Sequence, residues 1–344
     1  MLDILSILRQ CQAMWGGYEI IYERPSVSEV RDVIALPTAP DGAWGIFNRS
    51  GRALDEAIDR HGPNASIGDR KTQVPISIVR SALHTIDEPC IYGGFVSIHF
   101  GHFIVNTLAR LWPLIDKSNA KYKIIFHGQG TPNDWFSISF IKDMFGALGI
   151  TEDRIVFVEH PTVILRLIVP HPSFQEQSFA HCAFGQLCRM IGDNILGDHP
   201  RTQDAIETPV YISKVNLTSG VGRFANEKAV TDILAASGVE IVYPETMKLR
   251  DQIVLFRDRQ TILGTTGSAF HNSVFVGSRA NIICISPSVY PNSNFMMLDA
   301  LSGTHVTYLH AAGTETVVGG EAGFLTTLKF ENPENVAREI IQML

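Results

Sequence analysis

The sequence predicts an α/β fold divided into two domains, and three observations support this. The chain has 344 residues, whereas a single hydrophobic core stops growing at roughly 250 residues. From residue 121 onward, short apolar runs alternate with segments of helical spacing, the pattern of parallel sheets covered by helices. The polar stretch 197–209 interrupts this alternation with two prolines and no apolar periodicity. We therefore expect domains at 1–200 and 201–344.

Local patterning assigns the elements of each domain. In the first domain it predicts strands at 121–127, 154–158 and 163–170, and helices at 133–148 and about 175–196. In the second domain it predicts strands at 209–214, 239–243, 261–264 and 281–286, and helices at 227–237, 249–257 and 333–344. The spacing of the last helix would let it pack back across the first domain. Residues 1–90 are assigned to the first domain, with a short helix at 52–61 and a loop at 62–71.

Composition and charge exclude several classes of protein. The formal net charge of −7 comes without any basic block, so nothing indicates the positive surface that a nucleic-acid-binding protein needs. The five cysteines are scattered and form no C-x-x-C pair, which is typical of a reduced, cytoplasmic chain. The first residues, MLDILSILRQ, do not resemble a signal peptide, and no apolar run approaches the ~20 residues that span a bilayer. We expect a cytoplasmic enzyme-sized protein.

The stretch 262–286 predicts a strand, a tight turn and a helix. Small side chains in the turn would expose the backbone N–H groups that open the helix, and the helix dipole would add partial positive charge for a diphosphate. The candidate cradle consists of Gly264, Thr265, Thr266, Gly267 and Ser268. A tight turn without any ligand explains the same residues equally well.

Cations precede this unit, in the stretch 213–230. Lys214 lies at a predicted strand end, and open α/β sheets bind ligands at the carboxyl ends of their strands. Arg223 lies in a glycine-rich loop and would clamp a diphosphate with two hydrogen bonds. Taken without context, both side chains are also typical of solvated loop cations. Asn226 is expected to cap the helix that follows.

A polar row marks the first domain at 90–114, where an apolar strand and a Gly–Gly turn lead into a helix. Spacings of three and four place His99, His102, Asn106 and Arg110 on one helix face. Such residues must be paired or face a cleft, because unpaired burial costs ~1–3 kcal/mol per group. No third ligand accompanies the two histidines, which argues against zinc. A purely structural role for either histidine stays an alternative.

Motifs of other enzyme classes are absent from the sequence. It contains no G-x-x-x-x-G-K-[ST] loop, no G-x-S-x-G elbow, no H-E-x-x-H and no D-x-D at a strand end. We therefore expect neither a metal ion nor a cofactor. The stretch 318–323, VGGEAG, is interpreted as a turn.

The order of these motifs resembles glycosyltransferase family 61, in its bacterial cell-surface polysaccharide branch, over roughly 90–286. The shared pattern is G-G then H-F and R-L, Y-I-S-K with R and N-E, G-V-E-I-V-Y-P-E with Q, and G-T-T-G-S-A-F-H-N-S-V-F. The resemblance implies a GT-B-like fold, with two Rossmann-like domains facing a cleft. It also implies an acceptor side in the first domain, a nucleotide sugar in the second, and an inverting reaction without a metal ion.

Matching positions carry the family's residues over to this chain. They are His102, Arg110, Lys214 in place of the usual arginine, Arg223, Asn226, Glu227, Glu245, Gln252, Gly264, Gly267, Ala269 and Asn272. Three positions depart from the pattern: His99 replaces an asparagine, Asn106 replaces a frequent acid, and Thr266 replaces a histidine. The change at Asn106 removes one expected partner of His102.

The resemblance assigns roles to these residues. His102 is the expected general base, with Asp134 and Glu159 as rival carboxylates, while His99, Asn106 and Arg110 would bind substrate. Nucleotide binding is expected from Lys214, Arg223, Glu245, Gln252, Asn272 and the turn at 264–268. The expected partners are a UDP-sugar donor and a glycan or lipid-linked acceptor, with peripheral membrane association. The alternatives are a non-catalytic protein that binds a sugar nucleotide, and a pyruvyl or phosphoryl transferase that acts on a glycan.

Overall fold

The computed structural model describes residues 6–62, 65–66, 70–200, 205–217, 222–318 and 326–344. The chain forms two compact units: an N-terminal unit, Gly16–Ile195, and a C-terminal unit that combines Leu196–Leu344 with the residues up to Trp15. The sequence interpretation had assigned those first residues to the N-terminal domain. Parts of the expected loop at 62–71, linker at 197–209 and turn at 318–323 lie outside the described residues.

The first strand, β1 (Leu8–Gln10), belongs to the C-terminal unit. The strands of the N-terminal unit are β2 (Ile20–Ile21), β3 (Val27–Leu36), β4 (Gly45–Phe47), β5 (Arg60–His61), β6 (Ala65–Ser66), β7 (His84–Ile86), β8 (Cys90–Val96), β9 (Lys123–Gly128), β10 (Ile155–Phe157), β11 (Thr162–Pro170), β12 (Phe174–Gln175) and β13 (Phe179–His181). Its helices are α1 (Ile76–Arg80), α2 (Phe100–His102), α3 (Pro132–Ser137), α4 (Ser139–Ala147) and α5 (Cys182–Leu196).

A seven-stranded mixed sheet forms the centre of the N-terminal unit, in the order β10-β9-β8-β11-β3-β4, with β7 also paired to β11. The strands β10, β9, β8 and β11 are parallel, whereas β3 is antiparallel to β11 and β4. The apolar runs of these strands supply the core, which includes Val33, Tyr92, Ile125 and Ile164. Burial explains why the central parallel strands β8 and β9 are mainly apolar, whereas β3 carries polar residues in its less buried first half.

The C-terminal unit contains the remaining strands, β14 (Val210–Ile212), β15 (Arg223–Phe224), β16 (Glu240–Val242), β17 (Thr261–Thr265), β18 (Asn281–Ser286), β19 (His305–Ala311), β20 (Glu315–Val318) and β21 (Thr327–Lys329). Its helices are α6 (Glu227–Ala236), α7 (Leu249–Asp258), α8 (Ser293–Ser302) and α9 (Pro333–Met343). Its six-stranded sheet has the order β1-β19-β18-β17-β14-β16, parallel except for β1. The strand order reverses between β14 and β17, because β16 follows β14 on one side while β17, β18 and β19 follow on the other.

The α/β prediction is confirmed, and several details differ. The single helix predicted at 133–148 is two helices, because Ile138 adopts an extended backbone conformation. The helix predicted from about 175 begins at Cys182, after the hairpin of β12 and β13. The short helix predicted at 52–61 contains only a 3-10 turn at Asp55–Ala57.

The Gly–Gly pair is not a turn. Both glycines lie within β8, at an irregularity in its pairing with β9. A Cβ atom on Gly93 would lie 2.2 Å from the Phe126 ring. Gly94 has a φ of +85°, and a Cβ atom there would lie 3.0 Å from Cδ of Arg110. The pair therefore allows close packing at the sheet rather than a change of direction.

The last helix packs within its own unit, on α6, through Leu234, Ala337 and Ile340. The same helix also contacts the N-terminal segment of this unit. The carboxylate of Glu339 accepts hydrogen bonds from the backbone N–H groups of Ile7 and Leu8, at the start of β1. None of the helices in the described ranges is long and apolar enough to cross a bilayer.

Candidate active site

The helical segment that follows β8 changes its hydrogen-bonding pattern along its length. It begins as α2, widens to a π-type turn at Phe103–Thr107 and tightens to a 3-10 turn at Leu108–Arg110. The Thr107 hydroxyl donates to the carbonyl of Phe95 and accepts from the N–H of Ser97, which fixes the widened turn against β8. Single π-type turns inside helices are frequent at functional sites.

The widened turn brings Asn106 to His102, with 3.2 Å between the amide nitrogen and Nδ1. A third side chain joins them, because Oε1 of Glu176 accepts from the Asn106 amide at 2.7 Å and lies 3.2 Å from the same Nδ1. The Glu176 side chain is 5% exposed, whereas that of His102 is 34% exposed. The ring of His99 lies 5.1 Å from that of His102. We call these four residues the His102 cluster.

Sequence reasoning missed Glu176. It lies in the connection between β12 and β13, where its carbonyl accepts from the N–H of Gly62 and the Gln175 amide donates to the carbonyl of Gly62. Neither rival carboxylate takes its place, since Asp134 caps α3 with Thr131 and Glu159 is exposed after β10. One indirect signal in the sequence pointed to another carboxylate as a partner of His102. Asn106 stands where the family frequently has an acid, so His102 lacks that expected partner.

The two histidines have different electrostatic surroundings. The hydrogen bond that Glu176 accepts raises the pKa of His102, with burial acting in the opposite direction. Burial lowers the pKa of His99, and the neighbouring His102 lowers it further. A carboxylate accepts hydrogen bonds but cannot donate them, so its bond with the ring requires a proton on Nδ1 of His102. The cluster therefore favours proton uptake by His102 rather than by His99.

Arg110 was expected to contact substrate and is instead a structural residue. Its side chain has no exposed surface. Nε donates to Asp59 at 2.6 Å, Nη1 donates to the carbonyls of Glu56 and Pro170, and Nη2 donates to that of Ile58. These bonds join the 3-10 turn after α2 to neighbouring segments of the N-terminal unit. The guanidinium is therefore enclosed by groups of the protein.

The second group of predicted residues lies where the strand order of the C-terminal sheet reverses. Lys214 follows β14, and its ammonium donates to the carbonyl of Thr266, which follows β17, and to that of Gly222 at 3.3 Å. A Cβ atom on Gly267 would lie 2.5 Å from Cε of Lys214, so any larger residue at this position would require the lysine side chain to shift. Arg223 belongs to the same group by adjacency to Gly222. We call these five residues the Lys214 cluster.

Burial determines the electrostatics of this cluster. It lowers the pKa of Lys214 to about 8, although the nearby carboxylate of Glu227 acts in the opposite direction. Glu227 is itself buried, and its Oε1 accepts from the N–H of Lys214 and from the Tyr211 hydroxyl. Burial raises the pKa of Glu227. Lys214 thus remains mainly charged at pH 7, beneath the turn that ends β17.

The remaining predicted nucleotide-binding residues divide into accessible and buried ones. The helix after the turn, Ser268–Phe275, is a 3-10 helix, and Ser268 is partly exposed at its start. Thr265 is almost fully buried, so its side chain does not reach a ligand. Gly264 lies within β17, where a Cβ atom would be 2.7 Å from the carbonyl of Ile212. Glu245 is exposed in the 3-10 turn Pro244–Thr246.

Gln252 and Asn272 are hydrogen-bonded to each other. The Asn272 amide donates to Oε1 of Gln252 at 2.9 Å, and the Gln252 amide donates to the carbonyl of Pro244. Asn272 has no exposed surface, which assigns it to packing rather than to ligand contact. Asn226 does not cap α6 with its side chain; its amide instead pairs with the backbone of Phe330 in both directions.

The side chain of Arg223 forms a hydrogen bond with the backbone. Its Nη1 donates to the carbonyl of Leu217 at 2.8 Å, and its backbone pairs with β21. Its side chain is partly buried rather than fully solvated. Across the described ranges, no group of three or more His, Cys, Asp or Glu side chains is arranged to hold a metal ion.

The fold defines the general class of the protein. A parallel sheet with this strand order binds ligands at the carboxyl ends of its strands, at the point where the order reverses.

The comparison with protein families is more specific than the fold, because the model described as Glycosyltransferase 61 matches residues 100–283. This match covers more than half of the chain and includes every residue of the two clusters except His99, so the protein belongs to glycosyltransferase family 61. No curated protein matches the chain. The family assigns glycosyl transfer from a donor to an acceptor.

Proposed function

We propose that this glycosyltransferase moves a hexosyl or pentosyl group from a UDP-sugar to a hydroxyl group of a glycan or lipid-linked acceptor. The observation that carries the proposal is the position of the Lys214 cluster at the reversal of strand order. We place the reaction in cytoplasmic polysaccharide biosynthesis, with peripheral association at a membrane. We also assign the protein to the GT-B class, in which one domain binds the nucleotide and another the acceptor.

The donor's diphosphate is the ligand that the Lys214 cluster suits. An ammonium has three N–H groups, and two of those of Lys214 meet the carbonyls of Thr266 and Gly222. Arg223, the residue after Gly222, adds a guanidinium that donates to the carbonyl of Leu217, and the start of the helix Ser268–Phe275 adds backbone N–H groups. These groups would stabilise the leaving diphosphate without a metal ion. Turnover that persists in EDTA is the expected result.

The His102 cluster suits the acceptor side of the reaction. His102 would remove the proton of the acceptor hydroxyl as its oxygen attacks the anomeric carbon. The bond between that carbon and the diphosphate oxygen breaks in the same step, so the configuration inverts. The raised pKa of His102 and its partial exposure support this role, because the ring must both hold a proton and reach the substrate.

A panel of donors tests the proposal by calorimetry and by product formation. We expect UDP and UDP-sugars to bind, and Arg223→Ala to weaken diphosphate binding by ~1.5–3 kcal/mol, the range for charge-assisted hydrogen bonds. Lys228→Ala is the matched control, because Lys228 is an exposed cation that pairs with Asp232 on α6. Preferential use of phosphoenolpyruvate, or nucleotide binding without turnover on any acceptor, would contradict the proposal.

A further inference from the structure

Glu176 has the geometry of a group that acts on His102 rather than on substrate. It is nearly inaccessible, and one oxygen, Oε1, contacts both Nδ1 of His102 and the amide of Asn106. We propose that Glu176 is a positioning residue that holds His102 with its proton on Nδ1, and that Asn106 holds Glu176 in place. This inference rests on the proposed role of His102 as the base.

The contacts of Glu176 Oε1 fit an arrangement in which both of its neighbours donate a proton. The Glu176 carboxylate only accepts, so both the Asn106 amide and the His102 Nδ1–H donate to its Oε1. The shorter contact, 2.7 Å, is the one from the amide. With a proton fixed on Nδ1, Nε2 is the ring nitrogen that takes the proton of the acceptor hydroxyl.

Each partner is fixed by a separate part of the N-terminal unit. The π-type turn Phe103–Thr107 carries Asn106 and is tied to β8 through the Thr107 hydroxyl. The backbone of Glu176 is tied to Gly62 from the connection between β12 and β13. The carboxylate thus comes from 70 positions beyond Asn106 in the sequence. Two independently anchored elements converge on the ring, which is what a positioning role requires.

The charge balance of the step follows from this arrangement. The acceptor O–H bond breaks, and its proton moves to Nε2. The acceptor oxygen forms the new bond to the anomeric carbon as the bond from that carbon to the diphosphate oxygen breaks and UDP leaves. The ring becomes an imidazolium, and the Glu176 carboxylate beside Nδ1 stabilises that cation. In the described part of the chain, the titratable groups facing His102 are Glu176 and His99. Because a second cation at His99 would oppose this charge, the lowered pKa of His99 favours the same outcome.

Removing the carboxylate of Glu176 and then introducing one at position 106 tests the proposal. Glu176→Gln should lower kcat by ~10²-fold, the contribution of a well-placed proton-transfer group, with donor affinity unchanged. It should also shift the acidic limb of the kcat profile to lower pH, because the carboxylate raises the pKa of His102. Adding Asn106→Asp to this variant returns a carboxylate to within reach of Nδ1, and we expect at least a ~10-fold recovery of kcat. Glu152→Gln, an exposed acid in the same unit, is the matched control.

The outcomes separate the inference from the proposed function. If His102→Gln abolishes turnover while Glu176→Gln leaves kcat and the pH profile intact, the positioning role is wrong and the base assignment stands. If His102→Gln keeps its turnover, the base itself is wrong. A loss in Glu176→Gln that comes with a lower melting temperature, an unmoved pH limb and no recovery in the double variant would make Glu176 purely structural. Should Glu176→Gln fail to fold, Asn106→Ala and an NMR titration of the His102 ring provide the same test, with a lower pKa expected.

Discussion

The ammonium of Lys214 donates to the backbone carbonyl of Thr266 across the point where the strand order of the C-terminal sheet reverses. The two residues follow different strands, β14 and β17, so this contact joins two strand ends that meet only in the folded sheet. It places a buried positive charge directly beneath the turn that opens the helix Ser268–Phe275. The lysine therefore combines a structural contact with the charge that an anionic ligand would meet.

We expect the affinity for the nucleotide to depend on pH, because the charge of Lys214 depends on pH. Its pKa is lowered to about 8, so the ammonium is charged below that pH and loses its charge above it. We expect the affinity for UDP to fall as the pH rises through about 8 and to approach that of Lys214→Met near pH 9.5. Calorimetry across this range provides the measurement. An affinity that is flat with pH in wild type and already equal to that of Lys214→Met at pH 7 would exclude this role.

Gly267 should be irreplaceable for binding. In Gly267→Ala the new methyl group would lie 2.5 Å from Cε of Lys214, so the lysine must move and its contact with Thr266 is lost. We expect UDP affinity to fall about as far as in Lys214→Met. Gly146→Ala is the control, because a Cβ atom there meets nothing within 4 Å in the interior of α4. That change should raise the free energy of unfolding by roughly 0.5–1 kcal/mol and leave binding unaltered.

His102 and His99 should differ in their effect on the chemical step. We expect His102→Gln to lose ~10²–10⁴-fold in kcat while it still binds donor, the range for a general base. His99→Gln should have a smaller effect, because burial disfavours its protonated form and Glu176 contacts His102 instead. Steady-state kinetics and thermal melting of both variants separate catalysis from packing. Equal losses of kcat in the two variants would argue against a specific base.

Arg110 should matter for stability rather than for substrate binding. In Arg110→Met, Asp59 loses the bond from Nε, and three backbone carbonyls lose their donors. Breaking a buried ion pair on one side costs about 3–5 kcal/mol, so we expect a large drop in the free energy of unfolding in urea. Arg166→Met, which breaks the exposed pair with Glu29, should leave the urea midpoint nearly unchanged. A stable Arg110→Met with a raised KM would restore the substrate-binding interpretation.

Asp299 should make stability decrease with pH. Burial raises its pKa to about 7, while the Tyr308 hydroxyl donates to it at 2.6 Å. Its contribution to stability is therefore fully present below its unfolded pKa of about 4 and is lost as the pH rises to about 7, by roughly 1.4 kcal/mol per pH unit. Asp299→Asn should match wild type at pH 4 and exceed it at pH 8 in urea unfolding. Tyr308→Phe should move the midpoint of the loss to a higher pH, since the hydroxyl favours the carboxylate.

Some of these features are determined by the sequence alone. Central parallel strands such as β9, β14 and β18 are mainly apolar runs, and their hydrophobic character follows from the burial that α/β packing imposes. The strand, turn and helix around Gly264 and Ser268 are likewise readable from residue types, because small residues and helical spacing act over short distances. The order of motifs sufficed to identify the family, which the family match confirms.

Only the tertiary structure decided which polar side chains meet. Local spacing placed Arg110 in one row with His102, but the change to π-type and 3-10 turns directs Arg110 to Asp59. Glu176 joins His102 from a distant connection, and β1 pairs with β19 in the C-terminal sheet, where Glu339 accepts hydrogen bonds from the N–H groups of Ile7 and Leu8. Contacts between residues far apart in the chain leave no periodic trace in the sequence. They are determined by which buried groups find partners when the sheets assemble, and that depends on the whole packed unit.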